Sequence, residues 1–476
     1  MSLLYFAGNT YGNRIAIVDD NETLTYKQLL LHSEKLAIAL KENIPIDRGQ
    51  KVGFLCHNHA SLIKSLFAVS QLGADMYLLN AEISAIQLRG LLERQKIDVL
   101  IYDHELSATV EESHFNNTKI ISYHDQLPAI NNFLHMRTVN TKNLPKTARS
   151  KLVLQTGGTT GLSKEAAHKP SVFNYLNPFL AFINKLNMLE HQTAYIATPI
   201  YHGYGLGVLL LFTALGKKVL VSKGFNAKQA CQIIREHQVE VTTVVPLMLQ
   251  KMLTHQAEDL LSLKCIASGG ARLSSRLIGE TQTKLGGVLF NLYGTSEAGL
   301  NMIATPDDLQ YSLTTIGRKI HGVKLKVLDK NMVELPVGEI GQLCISNEWS
   351  MRNKKSIWLK TGDLGFRDEQ GYYFLRGRTD DMVISGGENV YPIEVEQVII
   401  EHAEIEDVAV IGITDEQFGQ RLKAFVLPMK NATITNEDLK EWLRGRVARF
   451  QMPRDIIMVD QMPYTSLGKL DKKQLK

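Results

Sequence analysis

The chain has 476 residues, 44% hydrophobic and 21% charged, with 35 Gly and 13 Pro. This is ordinary globular composition with room for about three structural units, so disorder, collagen and coiled coil are excluded as whole-chain readings. A net charge of +4 is too balanced for the dense basic face of a nucleic-acid binder, although it leaves room for a local basic groove facing a phosphate-rich ligand.

In chain order, MSLLYFAGNTYGNR lacks the basic region of a secretory signal. Ile15 to Val18 and Thr23 to Thr25 flank an Asp19-Asp20-Asn21 turn. Thr25 and Gln28 have capping-box spacing, which predicts a helix to about Ala39. A strand at Lys51 to Cys56, a helix through Leu62, Ile63, Leu66, Phe67 and Ser70 capped by Gly73, and a strand at Asp75 to Leu79 form a strand–helix–strand unit. That order implies parallel strands with a crossover helix. The cycle recurs at Asp98 to Tyr102, Lys119 to Tyr123 and Lys218 to Val221, then a helix from Ala227 to His237 and a strand from Val239 to Val245. An α/β domain with mostly parallel sheets covered on both faces is expected.

From Ile316 the texture changes to short antiparallel strands at Lys324 to Leu328, Gly341 to Ser346 and Tyr372 to Leu375, a small barrel-like region. Beyond Gly377 a compact α+β unit follows. It has helices near Pro392 to Glu401 and Glu437 to Arg446, the second capped by Thr435, and strands at Asp407 to Ile413 and Lys423 to Leu427. The polar run Arg378 to Asp381 reads as a hinge between a domain of residues 1–378 and a mobile one of 379–476. Cys56, Cys231, Cys265 and Cys344 lie far apart without a CxxC pair, so buried free thiols in a reducing compartment are expected. The longest apolar run, Tyr204 to Gly216, is shorter than the roughly 20 residues that span a bilayer. A cytoplasmic protein is expected.

Five segments carry chemistry. Leu154 to Lys164 sets Thr156, Gly157, Gly158, Thr159, Thr160 and Gly161 ahead of Lys164. Glycines let successive N–H groups converge on an anion, the threonines add donors and the lysine adds charge, which is what a triphosphate needs. The spacing is not GxxxxGK[ST], because Ser163 and Glu165 break it. Asn291 to Gly299 holds Tyr293, Gly294, Thr295, Ser296 and Glu297, an aromatic suited to a flat base and a carboxylate suited to a hard cation. Trp358 to Asp363 ends on an Asp that reads as a ribose acceptor or an Asx turn. Gly377 to Pro392 contains Arg378, Asp380 and the run Ser385, Gly386, Gly387. Pro463 to Lys469 places a lysine in a terminal turn. His202 and Gly270 sit in two further glycine-containing stretches. Taken singly, most of these have plain structural readings as core, turn or solvated residues.

In this order over nearly the whole chain, they resemble the adenylate-forming superfamily of acyl- and aryl-CoA ligases, peptide-synthetase adenylation domains and luciferases. The resemblance implies a large N-terminal domain and a mobile C-terminal cap. It implies attack of a carboxylate on ATP to give acyl-AMP and pyrophosphate, then acyl transfer to a thiol. It assigns Thr156 to Lys164 to phosphate binding, with Thr160 and Glu297 toward Mg²⁺. Tyr293 is assigned to adenine, with Gly270, Gly294, Thr295 and Ser296 beside the nucleotide. Asp363 and Arg378 are assigned to ribose or phosphate, and Asp380 to the hinge. Ser385, Gly386 and Gly387 are placed toward coenzyme A, His202 near the acyl carboxylate and thiol tunnel, and Lys469 at the adenylation transition state. ATP, Mg²⁺, coenzyme A and a small carboxylate are the implied partners, and a homodimer is compatible.

The chain departs from the pattern at Ser163 for Pro, Glu165 for Gly, Gln155 for an aromatic and Lys472 for Arg. Lys151 or Lys169 is expected to pair Glu165. The Ser385 to Pro392 segment is typical of thioester-forming ligases. A medium- or long-chain fatty acid is expected ahead of o-succinylbenzoate or another aryl acid. Arg272 is the candidate for a second carboxylate, although a solvated loop arginine is the plainer reading. Loading of a carrier protein, or nucleotide binding without catalysis, are the alternatives from other classes.

Overall fold

The computed structural model describes residues 3–44, 46–133, 144, 150–156, 164–168, 176–295, 297–350, 358–465 and 468–475. Two compact units emerge. The first is Met1–Val244 with Met252–Ile266 and Trp349–Met351; the second is Val245–Lys251, Ala267–Glu348 and Arg352–Lys476.

The first unit contains the expected crossovers. In one sheet the spatial order is Thr118–Ile121, Val99–Tyr102, Lys51–Leu55, Asp75–Leu78, Leu152–Thr156, Lys164–His168. The first five are parallel to their neighbours, and the last turns back antiparallel. Val241–Val244, Thr193–Ile196, Lys218–Val221 and Ile15–Val18 form a second parallel run, closed by the Ile15–Thr25 hairpin. Strands buried on both faces show continuous apolar runs, as Val99–Tyr102 and Thr193–Ile196 do. The capping box at Thr25 and Gln28 is present, and that helix runs Tyr26–Asn43. Gly73 ends the helix Ala60–Leu72 in the left-handed conformation. The helix Gly203–Ala214 occupies the apolar run and is buried on most sides, so it offers no amphipathic period to read.

In the second unit the strands Lys324–Leu328, Gly341–Ser346, Leu359–Arg367, Tyr373–Arg378, Thr315–Lys319, Gly299–Ala304 and Leu289–Thr295 follow one another in space, each antiparallel to the next. Ile405–Asp415 pairs with Gly419–Pro428 along almost its whole length. Helices Pro392–Ile400 and Asn436–Leu443 cover them over a core that includes Val395, Ile399, Val410, Leu422, Leu439 and Leu443. Thr435 caps the second of these helices. The chain is thus α/β, with a large N-terminal region of mostly parallel sheets and a smaller C-terminal domain. Its four cysteines are free and buried. Among the described residues no helix is long and apolar enough to cross a membrane.

Two local readings change. Val288 to Phe290 reads in sequence as a short strand ahead of Tyr293, whereas Tyr293 and Gly294 lie within the strand Leu289–Thr295. Asp363 lies in mid-strand in Leu359–Arg367, not at a turn after a strand. Both positions adjoin register shifts. Across the Leu359–Arg367 pairing, Gln342 faces Leu364 while Cys344 faces Lys360, so Thr361-Gly362-Asp363 opposes Leu343 alone. The turn-like residues belong to a β-bulge, a device that re-aims side chains without ending the strand.

Candidate active site

The bulge sets the geometry around Asp363. Asp363 and Arg378 are cross-strand partners, and Arg378 Nη1 donates to Asp363 Oδ1 at 3.1 Å. Tyr293, 8% exposed, donates its hydroxyl to Asp363 Oδ2 at 2.6 Å. The Arg378 Nε donates to Asp380 Oδ1 at 3.0 Å, so the expected hinge residue is tied to the same guanidinium. Gly362 makes this possible. Its φ is +80°, and a Cβ there would stand 2.6 Å from Arg378 Nη2.

Lys469 approaches the same group. Its turn closes through Thr465 N–H to Lys469 O at 2.7 Å and Gly468 N–H to Thr465 O at 2.8 Å. Tyr464 and Leu470 form an antiparallel bridge behind it, so this terminal segment is built and not frayed. A Cβ on Gly270 would lie 3.8 Å from Lys469 Cε, and one on Gly468 only 2.8 Å from Val245. The lysine stays open to solvent although protein surrounds it on most sides, as in a cleft. Burial pulls its pKa below the ordinary lysine value, Asp363 opposes that, and Arg378 adds to it. Burial likewise raises Asp363 against the pull of Tyr293 and Arg378. Burial, with Asp363, lifts the Tyr293 phenol well above its usual range. Desolvation by the surrounding protein is the largest influence on each of the three groups. Such perturbed groups gathered in one place mark a functional site.

The hairpin between Leu289–Thr295 and Gly299–Ala304 carries Glu297. Thr295 Oγ1 accepts the Ala298 N–H at 3.1 Å, and Asn347 Nδ2 donates to Ala298 O at 2.9 Å and to Asn301 Oδ1 at 2.9 Å. Asn347 and Asn301 are buried; sequence reasoning passed over both, because a single Asn outside a motif gives no signal. The strands approach so closely that a Cβ on Gly294 would meet Gly299 O at 2.3 Å. Glu297 is half-buried in this turn. A lone carboxylate fits Mg²⁺, which takes one or two protein carboxylates and fills its shell with water and substrate phosphates. Ser296 lies outside the described residues.

Other expectations are placed more loosely. Gly157 to Ser163, which includes Gly158, Thr159, Thr160 and Gly161, lie outside the described residues; Thr156 and Lys164 face each other as the ends of two antiparallel strands. Lys151, offered as a partner for Glu165, instead pairs with Asp75 at 3.3 Å. His202, in the first unit, is the backbone cap of Gly203–Ala214, its ring 4.7 Å from that of Tyr201. Gly386 and Gly387, both with positive φ, form the two-residue tip of the Val383–Ser385 and Glu388–Val390 hairpin, as a primed turn demands. Ser385 is buried at its base. Arg272, a candidate for an acyl-site charge, points its Nη1 to Glu396 at 3.9 Å and Ile393 O at 3.5 Å.

Comparison with known proteins shows the family and the fold. The AMP-binding enzyme family matches residues 5–353, and the AMP-binding enzyme C-terminal domain matches 394–469. The chain is 27% identical to the fatty acid–[acyl-carrier-protein] ligase ScoC of Streptomyces coeruleorubidus, covering 97% of this chain and 92% of that one. It is 26% identical to the 2-succinylbenzoate–CoA ligase of Bacillus pumilus (strain SAFR-032), covering 97% and 95%. The fold superposes on o-succinylbenzoate CoA synthetase from Bacillus subtilis, solved with its acyl-adenylate intermediate. The TM-score is 0.86 at 24% identity, over 100% of this chain and 97% of that one.

Proposed function

This chain belongs to the AMP-binding enzyme family and is an AMP-forming acid–thiol ligase that uses ATP, Mg²⁺ and coenzyme A; on that premise we propose that it converts an aromatic carboxylate, o-succinylbenzoate first among them, to its CoA thioester. The whole-length similarity to a 2-succinylbenzoate–CoA ligase supports the aryl reading over the expected medium- or long-chain fatty acid. A fatty acid passed to a carrier protein is the second reading, because one relative bears that name. Arg272 points toward Glu396 and the Ile393 carbonyl, and that direction, not the strength of the approach, is why it is not our choice for the second carboxylate.

The convergence of Tyr293, Asp363, Arg378 and Lys469 carries the chemistry. In this reading Asp363 accepts the ribose hydroxyls and Arg378 orients it. Tyr293, its hydroxyl anchored on Asp363, presents its ring beside the adenine. Lys469 supplies positive charge as the carboxylate attacks the α-phosphate and pyrophosphate leaves. The segment Thr156 to Lys164 supplies amides and the Lys164 charge to the departing phosphates, and Glu297, with Thr160, would hold the Mg²⁺ that neutralises them. Attack of one anion on another is slow unless charge is neutralised and the partners are aligned in advance, which these groups do. Residues 379–476 then act as the mobile cap. In this reading Asp380 is its hinge, the exposed Gly386–Gly387 tip serves coenzyme A, and His202 serves the acyl carboxylate.

The test is ATP-dependent pyrophosphate release over o-succinylbenzoate, benzoates, C4 to C18 fatty acids and amino acids, with and without CoA, products identified by mass. AMP and an aryl-CoA are the expected products. Fatty acyl-CoA alone, or pyrophosphate released without a CoA product and an acylated carrier protein in its place, would replace the aryl reading.

A further inference from the structure

The second unit contains an arginine dock that no motif announces. Arg276, in the first turn of the helix Ser275–Leu285, donates from Nη1 to Ile405 O at 2.7 Å. Ile405 is fully buried, and its cross-strand partner is Pro428. The ladder bond beside this pair runs from Met429 N–H to Glu404 O, so the Ile405 carbonyl faces off the sheet's edge strand, away from Pro428, and Arg276 supplies its donor there. On the loop before the same helix, Arg272 reaches Ile393 O and Glu396. Glu396 in turn accepts from Val410 N–H at 2.8 Å and from Lys472 Nζ at 2.7 Å. Lys472 stands three residues beyond Lys469. On the other side of the turn, Tyr464 donates its hydroxyl to the half-buried Asp407. The Lys469 turn is therefore fastened to Pro392–Ile400 and Ile405–Asp415, and those two elements are fastened to the 272–276 segment.

We propose that Arg276, assisted by Arg272, is a positioning residue for adenylation. The pair holds residues 379–476 where Lys469 meets Asp363 and Arg378, and it must let go for the thioester step. This rests on the function proposed above. The Arg272–Glu396 approach alone, at 3.9 Å with a third of the arginine side chain in water, is worth little. The charge-assisted bond from Arg276 to a buried carbonyl is the stronger tie, and a partly exposed one of that kind is worth about tenfold in an equilibrium.

The experiment reads both half-reactions and a distance. Acyl-AMP formation is followed by pyrophosphate release, and thioester formation by supplying synthetic acyl-AMP with CoA. Spin labels are placed at Thr283→Cys and Glu437→Cys, both exposed sites; the native cysteines are buried and escape labelling. Arg276→Ala is expected to slow adenylation about tenfold, to leave thioester formation equal or faster, and to add a second distance population. Arg272→Ala in the same chain is expected to deepen each change, and Arg276→Lys to restore part of it. A merely structural arginine would slow both half-reactions together. Equal losses in both, or an unchanged distance distribution in the double variant, overturn the proposal. If the parent protein turns over no carboxylate, the functional reading fails, and the distance measurement still decides whether the dock exists.

Discussion

Asp103 and Asp363 are both largely buried carboxylates, with side-chain exposures of 3% and 15%, and burial acts on them with opposite outcomes. Asp103 follows the strand Val99–Tyr102 in the first unit. Its oxygens accept from the His57 N–H at 2.8 Å, His57 Nδ1 at 3.0 Å, His59 Nε2 at 2.8 Å and Ser122 Oγ at 2.6 Å. Burial opposes its charge, but these donors outweigh burial and hold the carboxyl far below its usual range. Asp363 receives only a phenol and one guanidinium nitrogen, and burial wins. One carboxylate has its acceptor capacity filled by the fold. The other keeps capacity in reserve beside a cation, as a ligand-binding group must. The same contrast explains why Cys56, His59 and Asp103, or His57, Asp103 and Glu105, have metal-ligand spacing without suggesting a metal: the protein's own donors already occupy Asp103.

The largest expected effect tests the structural half of that contrast. Asp103→Ala strips a buried acceptor from two histidines and a serine, and should cost about 3–5 kcal/mol of stability in urea or thermal unfolding. Asp363→Asn should cost far less stability, because burial already disfavours the charge it removes, while raising KM for ATP. If the two variants unfold alike, the distinction between filled and reserved carboxylates is wrong.

Next comes the catalytic half. Lys469→Ala should lower adenylation about 10²–10³-fold and leave thioester formation from preformed acyl-AMP intact, with unfolding unchanged. Loss of neither half-reaction, or of both, would remove Lys469 from the role proposed for it.

How much of this could be read from sequence follows the same division. The crossovers, the Thr25 and Thr435 caps and the Gly73 stop were legible because period and cap chemistry are local. Lys469, Asp363, Arg378 and Tyr293 were named through motif order, yet their mutual contacts were not, since Tyr293 meets Asp363 across 70 residues of chain, Arg378 meets it across a strand pairing, and Lys469 comes from a terminal turn. Asp363 was read as a turn because a bulge uses the same residues as a turn, and only the opposing strand tells them apart. Arg276 and Asn347 were invisible. One serves a carbonyl on an edge strand, and the other serves a hairpin end. Both functions depend on the backbone of another segment.

pH separates the regions more finely. Hydrogen bonding to Asp103 raises the His57 pKa, against some desolvation. That contribution to stability is complete below the unfolded value of about 6.5 and fades as pH rises through the folded one. Asp103, lowered, contributes fully above about 3.9 and loses its contribution as pH falls through its folded value. The pair therefore stabilises most between about pH 4 and 6.5, and Asp103→Asn should flatten the fall of the unfolding midpoint on either side of that window. In the role proposed for it, Lys469 acts on rate. With its pKa lowered, kcat/KM for adenylation should fall on the alkaline side at a pH below the ordinary lysine value of about 10.4. Lys469→Arg should carry that limb out of range.

The smallest effect probes the bulge itself. Gly362→Ala puts a side chain at φ +80° and a methyl 2.6 Å from Arg378 Nη2. A left-handed non-glycine residue costs about 1–2 kcal/mol, and that should appear in unfolding whatever Asp363 does. The steric part is different in kind. The Arg378 guanidinium is the far end of a flexible side chain, so it can move aside, and the protein should avoid most of the clash by releasing Asp363 Oδ1. That release removes one of the two donors which restrain the Asp363 carboxylate, so the loss should fall on ATP, as about a fivefold to thirtyfold drop in kcat/KM. Gly371, also at positive φ but with nothing within 4 Å of its added Cβ, supplies the control. Gly371→Ala should show the backbone cost without the loss toward ATP. Equal kinetics in the two variants would mean that the Arg378–Asp363 contact holds the strands together and does not tune the carboxylate for a nucleotide.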